Sequence, residues 1–206
     1  MKKPLHEVYD TFAHTYEASR GHFDISDLLD NFYARLPLAN RALLDLGCGA
    51  GEPVAQYFLD RDWSVVGVDF SEKMIELAGR YAPAMQALHA DITEVDFYAN
   101  QFEAITATYS LFHISSNQHA TLFKKMYEWL LPGGKVLFTY ATREYTGSEA
   151  FDGYKIFLGQ ELYYSHKPPS DLYADLKHIG FYIDVAEYKS IGDEVFLWVT
   201  MSKPEG

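Results

Sequence analysis

The stretch Leu43-Leu44-Asp45-Leu46-Gly47-Cys48-Gly49-Ala50-Gly51 is the most informative part of the chain. An apolar run typical of a buried strand leads into three glycines spaced G-x-G-x-G, and a helical pattern follows over 53–59. Glycine is favoured where the backbone turns tightly and where a ligand approaches the main chain. The start of the following helix offers unpaired N–H groups and a partial positive charge, which favour an anionic group. This order of elements is typical of a nucleotide-binding α/β fold.

Short apolar runs alternate with helical patterns on both sides of this stretch. After the strand at 42–46, the pattern predicts strands at 64–69, 85–90, 102–109 and 135–140, and helices at 53–59, 72–81 and 117–130. Ser71 is the expected N-cap of the second helix, and Pro132-Gly133-Gly134 is the expected turn that ends the third. Strands that alternate with helices indicate an α/β fold whose mostly parallel, doubly wound sheet has helices on both faces.

The two ends of the chain follow other patterns. We expect one domain over 1–206, with a helical cap at 1–40, a cofactor-binding core at 41–141 and a substrate flap at 142–169. The segment 145–169 is aromatic and predicted to be irregular. A helix over 170–179, capped by Ser170 and ended by Gly180, precedes a closing β-hairpin, all within 170–206.

Composition limits the class of protein. The 206 residues are 48% hydrophobic and 22% charged, so the chain can bury a core without disulfides or metal ions. Cys48 is the only cysteine, which excludes an intrachain disulfide and favours a cytoplasmic location. The first residues lack the apolar core of a secretion signal, and the apolar runs have the length of strands. We therefore expect no membrane-spanning segment.

Charge and aromatic content indicate the kind of partner. Seventeen basic against twenty-nine acidic residues give a net charge of −12, which argues against nucleic acid or an anionic membrane surface as the main partner. Aromatic residues make up 16% of the chain, which suits a pocket for a small molecule. None of the eight histidines has a Cys, Glu or His at a metal-ligand spacing, so no metal site is predicted.

Three aspartates lie at or near the carboxyl ends of predicted strands. Asp45 precedes the first glycine, where a carboxylate would repel a pyrophosphate and attract an ammonium group. Asp69 ends the second strand, where an acidic side chain accepts hydrogen bonds from ribose hydroxyls. Asp91 ends the third strand, where it can accept a bond from an adenine amino group while Ile92 and Phe70 enclose the ring.

These residues together predict the ligand. The third glycine comes one residue earlier than in the dinucleotide pattern G-x-G-x-x-G. The ligand implied has an adenosine end, an ammonium and a carboxylate, and needs no phosphate. S-adenosylmethionine has these parts, and its positive sulfonium suits an acidic pocket. Simpler roles compete with this interpretation: the glycines as a tight turn, Asp69 as a helix cap, Asp91 as a turn former and Cys48 as a small buried filler.

Several motifs in this order resemble the class I S-adenosylmethionine-dependent methyltransferases of the small bacterial type. They are L-D-L-G-C-G-A-G-E-P (44–53), V-G-V-D-F-S-E-K-M-I (66–75), A-D-I (90–92), Y-S-L-F-H-I (109–114), L-L-P-G-G-K (130–135), Y-D-x-x-A-x-x-Y (9–16) and F-L-W-V (196–199). The resemblance implies a Rossmann-like sheet of seven strands with the last strand antiparallel. It also implies a set of cofactor-binding residues: Tyr16, Asp45, Gly47, Cys48, Gly49, Gly51, Asp69, Phe70, Met74, Asp91, Ile92 and Tyr109.

The acceptor end of the site is expected after the fourth strand. Tyr109 and His113 are the candidate catalytic residues, because sheet-edge sites lie there and a histidine can accept a proton at neutral pH. A structural histidine at a helix start is the competing interpretation. His113 is also a candidate substrate-binding residue, together with Tyr164 and His166 from the flap.

The function predicted is methyl transfer from S-adenosylmethionine to a small-molecule acceptor by in-line displacement, a reaction that depends mainly on alignment and exclusion of water. Two alternatives remain. One is an NAD-dependent reductase, which shares the acidic residue after the second strand. The other is a non-catalytic protein of the same fold that binds the cofactor or a partner protein.

Overall fold

The apolar runs form a seven-stranded sheet at the centre of the computed structural model, which describes residues 4–13, 24–157 and 159–206. The strands are β1 Ala42–Leu46, β2 Ser64–Asp69, β3 Gln86–His89, β4 Phe102–Ala107, β5 Leu130–Tyr140, β6 Phe151–Phe157, β7 Gln160–His166, β8 Tyr182–Ile191 and β9 Glu194–Ser202. The large sheet has the order β3-β2-β1-β4-β5-β9-β8, and β6 and β7 form a separate two-stranded sheet.

Strand directions agree with the expected topology. Strand β1 pairs in parallel with β2 and β4, and the pairs β2–β3 and β4–β5 are also parallel. The last strand, β9, lies between β5 and β8 and is antiparallel to both. The prediction of a mostly parallel seven-stranded sheet with an antiparallel last strand is confirmed.

Helices cover both faces of this sheet. They are α1 Leu5–Ala13, α2 Ser26–Tyr33, α3 Val54–Leu59, α4 Glu72–Tyr81, α5 Ser116–Trp129, α6 Arg143–Thr146 and α7 Pro169–Ile179. Phe32 of α2 and Phe58 of α3 pack with Leu43 in one buried cluster. Trp129 of α5 packs with Leu44 in the other. Because neighbouring residues of a strand point to opposite faces, Leu43 and Leu44 anchor the two layers.

The helix after β2 begins where the sequence indicated. The Oγ of Ser71 accepts the backbone N–H of Met74 at 3.1 Å, which satisfies one of the free donors in the first turn. The end of α7 also agrees, since Gly180 takes the left-handed conformation at φ +116°. Its start differs: Pro168 occupies the N-cap position and Pro169 the first turn, where proline is favoured, so Ser170 is not the cap.

The segment predicted to be irregular contains a regular β-hairpin. Strands β6 and β7 pair antiparallel, with Phe151 opposite His166 and Phe157 opposite Gln160. Tyr154 and Ile156 are exposed on the outer face of β6. These exposed apolar side chains hide the alternation of polar and apolar residues by which a half-buried strand is recognised in sequence.

The Pro132-Gly133-Gly134 sequence is part of β5 and does not form a separate turn. Leu130 pairs with Phe102 and Lys135 with Ala104, so extra residues of β5 bulge between these two pairs. A bulge accommodates proline and glycine within a strand because the ladder of hydrogen bonds is interrupted there. The helix α5 therefore leads directly into the strand.

Candidate active site

A cavity of about 360 Å³ lies beyond the carboxyl ends of β1, β2, β3 and β4. Ligand sites in open α/β sheets occur at this edge, and the volume lies in the range of small-molecule pockets. Leu5, Tyr9 and Phe12 of α1 form part of the wall, as does Phe157 of the β6–β7 hairpin. Within the segment predicted as a helical cap, α1 therefore contributes to the wall of this cavity.

The three glycines of the loop after β1 lie in different environments. Gly47 has φ +80°, and a Cβ there would lie 2.4 Å from the Cβ of Ser110. Gly49 has φ +51° and lines the cavity, with nothing within 4 Å of the place a Cβ would occupy. Gly51 packs against Ala82, and a Cβ added at Gly51 would lie 2.5 Å from the Cβ of Ala82. The structure therefore places Gly51 in packing behind the loop, outside the cavity lining, and not at the predicted cofactor contact.

Asp69 joins this loop to the turn after β2. Its Oδ2 accepts the backbone N–H of Gly49 and its Oδ1 that of Ser71, both at 2.9 Å. Burial raises the pKa of the Asp69 carboxyl, while these two hydrogen bonds act against that rise. The side chain thus organises the loop and lines the cavity at the same time.

Asp45 is a second buried carboxyl group at the cavity wall. It is 2% exposed, and its Oδ1 accepts the Thr106 hydroxyl at 2.7 Å. Burial raises the pKa of Asp45 to about 7; the Thr106 bond opposes this shift and the charge of Asp69 adds to it. A cation bound beside Asp45 would favour its charged form and so reverse this shift.

Four further predicted cofactor residues, Phe70, Met74, Asp91 and Ile92, also line the cavity. Ile92 and Met74 are buried in its lining, next to Phe70. Asp91 also lines the cavity, but it is exposed, and its Oδ1 accepts both the N–H and the hydroxyl of Thr93 at 2.8 Å. The turn-forming role weighed for Asp91 is therefore present, together with access to the cavity.

Cys48 is a buried part of the wall. Burial raises the pKa of its thiol well above the ordinary value. Its Sγ would lie 2.8 Å from a Cβ on Gly67, which shows how tightly the space behind the loop is filled. This environment suits a small packing residue and disfavours a reactive thiolate.

His113 is held at both ring nitrogens. Its Nδ1 lies 2.7 Å from the main-chain carbonyl of Tyr163, and its Nε2 lies 2.7 Å from the hydroxyl of Tyr9. Because a carbonyl only accepts, Nδ1 carries the hydrogen, and Nε2 accepts the hydrogen bond of Tyr9. Burial lowers the pKa of His113 to about 4, so the ring is neutral at physiological pH. The sequence did not single out this role of Tyr9, which depends on a contact between residues far apart in the chain.

Tyr109 has an unusual backbone conformation. Its φ is +54°, in a region that bulky residues rarely adopt. The conformation is maintained by the N–H of Tyr109, which donates to the Thr139 hydroxyl, and by ring contacts with Phe196 and Trp198 at 5.6 and 5.5 Å. Strain of this kind concentrates at functional sites, and Tyr109 does line the cavity.

The two flap residues predicted for substrate binding are placed differently. Tyr164 lines the cavity and stacks on Phe112 at 5.4 Å. His166 is 1% exposed and lies outside the cavity lining, with its Nε2 2.7 Å from the Thr146 hydroxyl. His166 lies two residues after Tyr164 in β7, which is roughly 7 Å along the strand, and this part of β7 lies outside the cavity lining. The expectation for His166 is corrected, and Tyr16 lies outside the described residues.

Glu194 is a cavity residue that sequence reasoning missed. It begins β9, is half-buried and lines the cavity beside Phe196. Burial raises the pKa of its carboxyl, with a hydrogen bond from Tyr145 and the charge of Lys155 acting the other way. In sequence it follows Gly192-Asp193, so it has the pattern of an ordinary polar turn residue.

Two further findings concern the described part of the chain. No group of three or more His, Cys, Asp or Glu side chains in it is placed to hold a metal ion. None of its helices is both long and apolar enough to cross a membrane.

Residues 43–134 match the family model of a methyltransferase domain, and this range contains the glycine loop and all three aspartates. These residues therefore form a methyltransferase domain, and together with the relatives and the solved structure named below they support a class I S-adenosylmethionine-dependent methyltransferase. The family, its Rossmann-like fold and its cofactor were expected from the resemblance, and these expectations are confirmed. An S-adenosylmethionine-dependent methyltransferase from Mesorhizobium loti has the same fold, with a TM-score of 0.69 at 20% identity, covering 84% of this chain and 96% of that one.

Curated relatives of this methyltransferase domain are longer proteins. Phosphoethanolamine N-methyltransferase 3 from Arabidopsis thaliana is 34% identical over 126 residues, covering 59% of this chain and 25% of the plant protein. The malonyl-[acyl-carrier protein] O-methyltransferase of Enterobacter lignolyticus (strain SCF1) is 32% identical over 111 residues, covering 53% and 43% of the two chains. The chain spans about a quarter of the length of the plant relative.

The residues of the site fit the cofactor of the methyltransferase family. Two buried carboxylates adjoin the glycine loop, and none of the described residues that line the cavity is a lysine or arginine. This charge pattern suits a ligand with a sulfonium and an ammonium and disfavours a pyrophosphate. The open space at Gly49 leaves room for a ligand against the main chain. The helix α3 has only six residues, so its dipole contributes less than the sequence suggested.

Proposed function

We propose that this chain transfers a methyl group from S-adenosylmethionine to a small-molecule acceptor. The observation that carries the proposal is one cavity lined by two groups of residues, which we call its cofactor end and its acceptor end. Buried Asp45 and Asp69 adjoin the glycine loop at one end, and His113, Tyr109 and aromatic rings form the other.

At the cofactor end, three carboxylates have separate tasks. Asp45 is the group that holds the ammonium of the methionine part, Asp69 holds the ribose hydroxyls and Asp91 the adenine amino group. Phe70 and Ile92 provide apolar surface for the adenine ring. When bound, S-adenosylmethionine supplies an electrophilic methyl group on a positively charged sulfur.

At the acceptor end, the chain aligns the acceptor and excludes water. Tyr9 and Phe12 of α1 cover the cavity, and Tyr109 is fixed by its ring contacts. Alignment of two reactants in a closed site contributes several kcal/mol to lowering a barrier, on the order of 7–11 kcal/mol at best. His113 is neutral and its Nε2 accepts the hydrogen bond of Tyr9, so a proton leaves the acceptor by passing to the Tyr9 oxygen while the Tyr9 hydroxyl hydrogen passes to Nε2.

The charge of the cavity argues against an NAD-dependent reductase. A pyrophosphate beside Asp45 and Asp69 would meet two carboxylates and no cation from the described lining residues. A non-catalytic role is disfavoured by the space and chemistry beyond the cofactor end, where a neutral histidine faces the cavity. The names of the two relatives indicate different acceptors, phosphoethanolamine and malonyl-[acyl-carrier protein], so family membership alone does not select one.

The proposal is tested by measuring formation of S-adenosylhomocysteine with a panel of amines, phenols and carboxylates. We expect turnover with at least one class, which His113→Asn lowers at least tenfold while binding of S-adenosylhomocysteine remains within twofold of the unmodified protein. Failure to bind S-adenosylhomocysteine, or saturable binding of NADH in its place, would contradict the proposal.

A further inference from the structure

Five acidic side chains among the described residues line the cavity; Asp45, Glu52, Asp69 and Asp91 lie in or after β1, β2 and β3, and Glu194 of β9 is assigned to the acceptor end. Glu194 lies there, and its charge acts on the hydroxyls of four tyrosines: Tyr9, Tyr109, Tyr145 and Tyr164. Three of these tyrosines also line the cavity. Glu194 is thus a negative group in the part of the cavity lined by aromatic rings, which we call the aromatic chamber. It is separate from the aspartates at the glycine loop.

The carboxylate of Glu194 is only partly satisfied by protein groups. It takes part in a hydrogen bond with Tyr145, and Lys155 is the nearby cation. The Nζ of Lys155, however, donates to the main-chain carbonyl of Tyr145 and lies 4.2 Å from the centre of its ring. No ion pair within 4.0 Å forms between Glu194 and a basic side chain in the described residues. The carboxylate therefore retains acceptor capacity toward the cavity.

The walls around Glu194 are stacked rings. Phe112 lies between Tyr164 and Phe196, at 5.4 and 4.9 Å with interplanar angles of 18° and 9°. Tyr109 meets Phe196 edge-on at 5.6 Å. Such walls bind flat apolar groups, and the faces of aromatic rings also attract ammonium groups.

We infer that the methyl acceptor is an amine with an apolar, ring-bearing body, which binds as its ammonium form to Glu194 and through its body to the aromatic walls. Its nitrogen attacks the methyl group after it has passed one proton to the Glu194 carboxylate, and S-adenosylhomocysteine is the leaving group. This inference rests on the proposed function and names its substrate class. Anionic acceptors are disfavoured, because a carboxylate or phosphate in this chamber would face Glu194 without a lysine or arginine from the described lining residues.

The test uses three probes that share one ring. Phenethylamine is a cation at neutral pH, 3-phenylpropionate an anion, and 2-phenylethanol neutral. Each is titrated calorimetrically into the protein with and without saturating S-adenosylhomocysteine. We expect phenethylamine to bind at least about tenfold more tightly than 3-phenylpropionate. Glu194→Gln should weaken phenethylamine about tenfold and leave 2-phenylethanol unchanged.

Two further variants make the result specific. Glu194→Asp keeps the charge and should retain most of the preference for the amine. Glu187→Gln makes the same chemical change on β8, outside this cavity, and should leave all three affinities unchanged. Equal or tighter binding of 3-phenylpropionate, or an unchanged phenethylamine affinity in Glu194→Gln, would overturn the inference.

S-adenosylhomocysteine is titrated into the same variants. If every variant binds S-adenosylhomocysteine but the unmodified protein shows no preference for the amine, only the proposed acceptor class is overturned. Loss of its binding to the unmodified protein contradicts the proposed function, and the amine titrations without it still decide the inference.

Discussion

The hydroxyl of Tyr9 lies 2.7 Å from Nε2 of His113, a contact between residues 104 positions apart in the sequence. It joins α1 to the turn after β4, above the cavity. A second bond holds the same helix: Oδ1 of Asp10 accepts the hydroxyl of Ser71 at 2.6 Å. Two hydrogen-bonded points therefore fasten α1 over the site, one at the acceptor end and one beside the cofactor end.

Tyr9→Phe removes the bond to His113 and keeps the ring contacts with Phe12 and Phe70. We expect the free energy of unfolding to fall by about 1 kcal/mol, because a buried acceptor nitrogen loses its donor. Turnover should fall more for acceptors that must lose a proton than for acceptors that need not. Chemical denaturation and turnover measurements check both effects. Tyr98→Phe, on an 86% exposed side chain, is the matched control and should change neither quantity. Unchanged turnover in Tyr9→Phe would show that the contact only fastens α1.

Cofactor binding should release a proton near neutral pH. The pKa of Asp45 is raised to about 7, so about half of this carboxyl is protonated at that pH in the free protein. A bound ammonium favours the charged form, so affinity should rise as pH increases through 7 and level off above it. Calorimetry at pH 7 in buffers of different ionisation enthalpy measures the protons released. Asp45→Asn should abolish the release, and an unchanged release in that variant would assign it to another group.

The same carboxyl makes the free protein less stable at alkaline pH. Its pKa is higher in the folded than in the unfolded chain, so the folded state binds the extra proton between about pH 4 and 7 and loses that advantage as pH rises. Asp45→Asn should therefore raise the melting temperature of the ligand-free protein more at pH 8 than at pH 5. Equal shifts at the two pH values would contradict this assignment.

His119 should make the fold sensitive to acid. Its Nε2 donates to the carbonyls of Leu111 and Ile114, both at 3.0 Å, and burial lowers its pKa to about 4. The unfolded histidine takes up a proton near pH 6.5 and the folded one only near 4, so stability falls as pH drops between these values, by at most about 3 kcal/mol. Urea denaturation at pH 5 and 7.5 measures the slope. His119→Gln should reduce it, and a slope unchanged by this substitution would exclude His119 as its source.

The two cavity glycines should respond differently to alanine. Gly47→Ala places a Cβ 2.4 Å from that of Ser110 at φ +80°, so we expect a loss of stability of about 2–4 kcal/mol. Gly49→Ala meets no neighbour, so the loss should be about 1–2 kcal/mol, from the positive φ alone. The new methyl group at 49 should instead weaken binding of S-adenosylhomocysteine. Denaturation and calorimetry separate the two effects, and the reverse ranking would contradict the geometry.

The alternation of apolar runs with helical patterns, and the parallel sheet that it implies, explain why the cofactor residues could be predicted from the sequence. The glycine loop and Asp45, Asp69 and Asp91 each follow an apolar run, and parallel strands bring their carboxyl ends to one edge. Glu194 was missed because β9 runs antiparallel, as its pairing of Leu197 with Tyr140 and Ser202 with Lys135 shows. In such a strand the first residue, and not the last, lies at the active edge. Only the tertiary pairing reveals that position.

Calorimetric titration of S-adenosylhomocysteine at pH 8 measures whether the glycine loop and Asp69 form the cofactor site. Asp69→Ala removes both the cavity carboxylate and its bond to the N–H of Gly49, while Asp27→Ala removes an exposed carboxylate of α2 as a control. We expect saturable one-to-one binding to the unmodified and control proteins, and at least tenfold weaker binding to Asp69→Ala. An affinity that Asp69→Ala leaves unchanged, or no binding to the unmodified protein, would contradict the assignment of this cavity as the cofactor site.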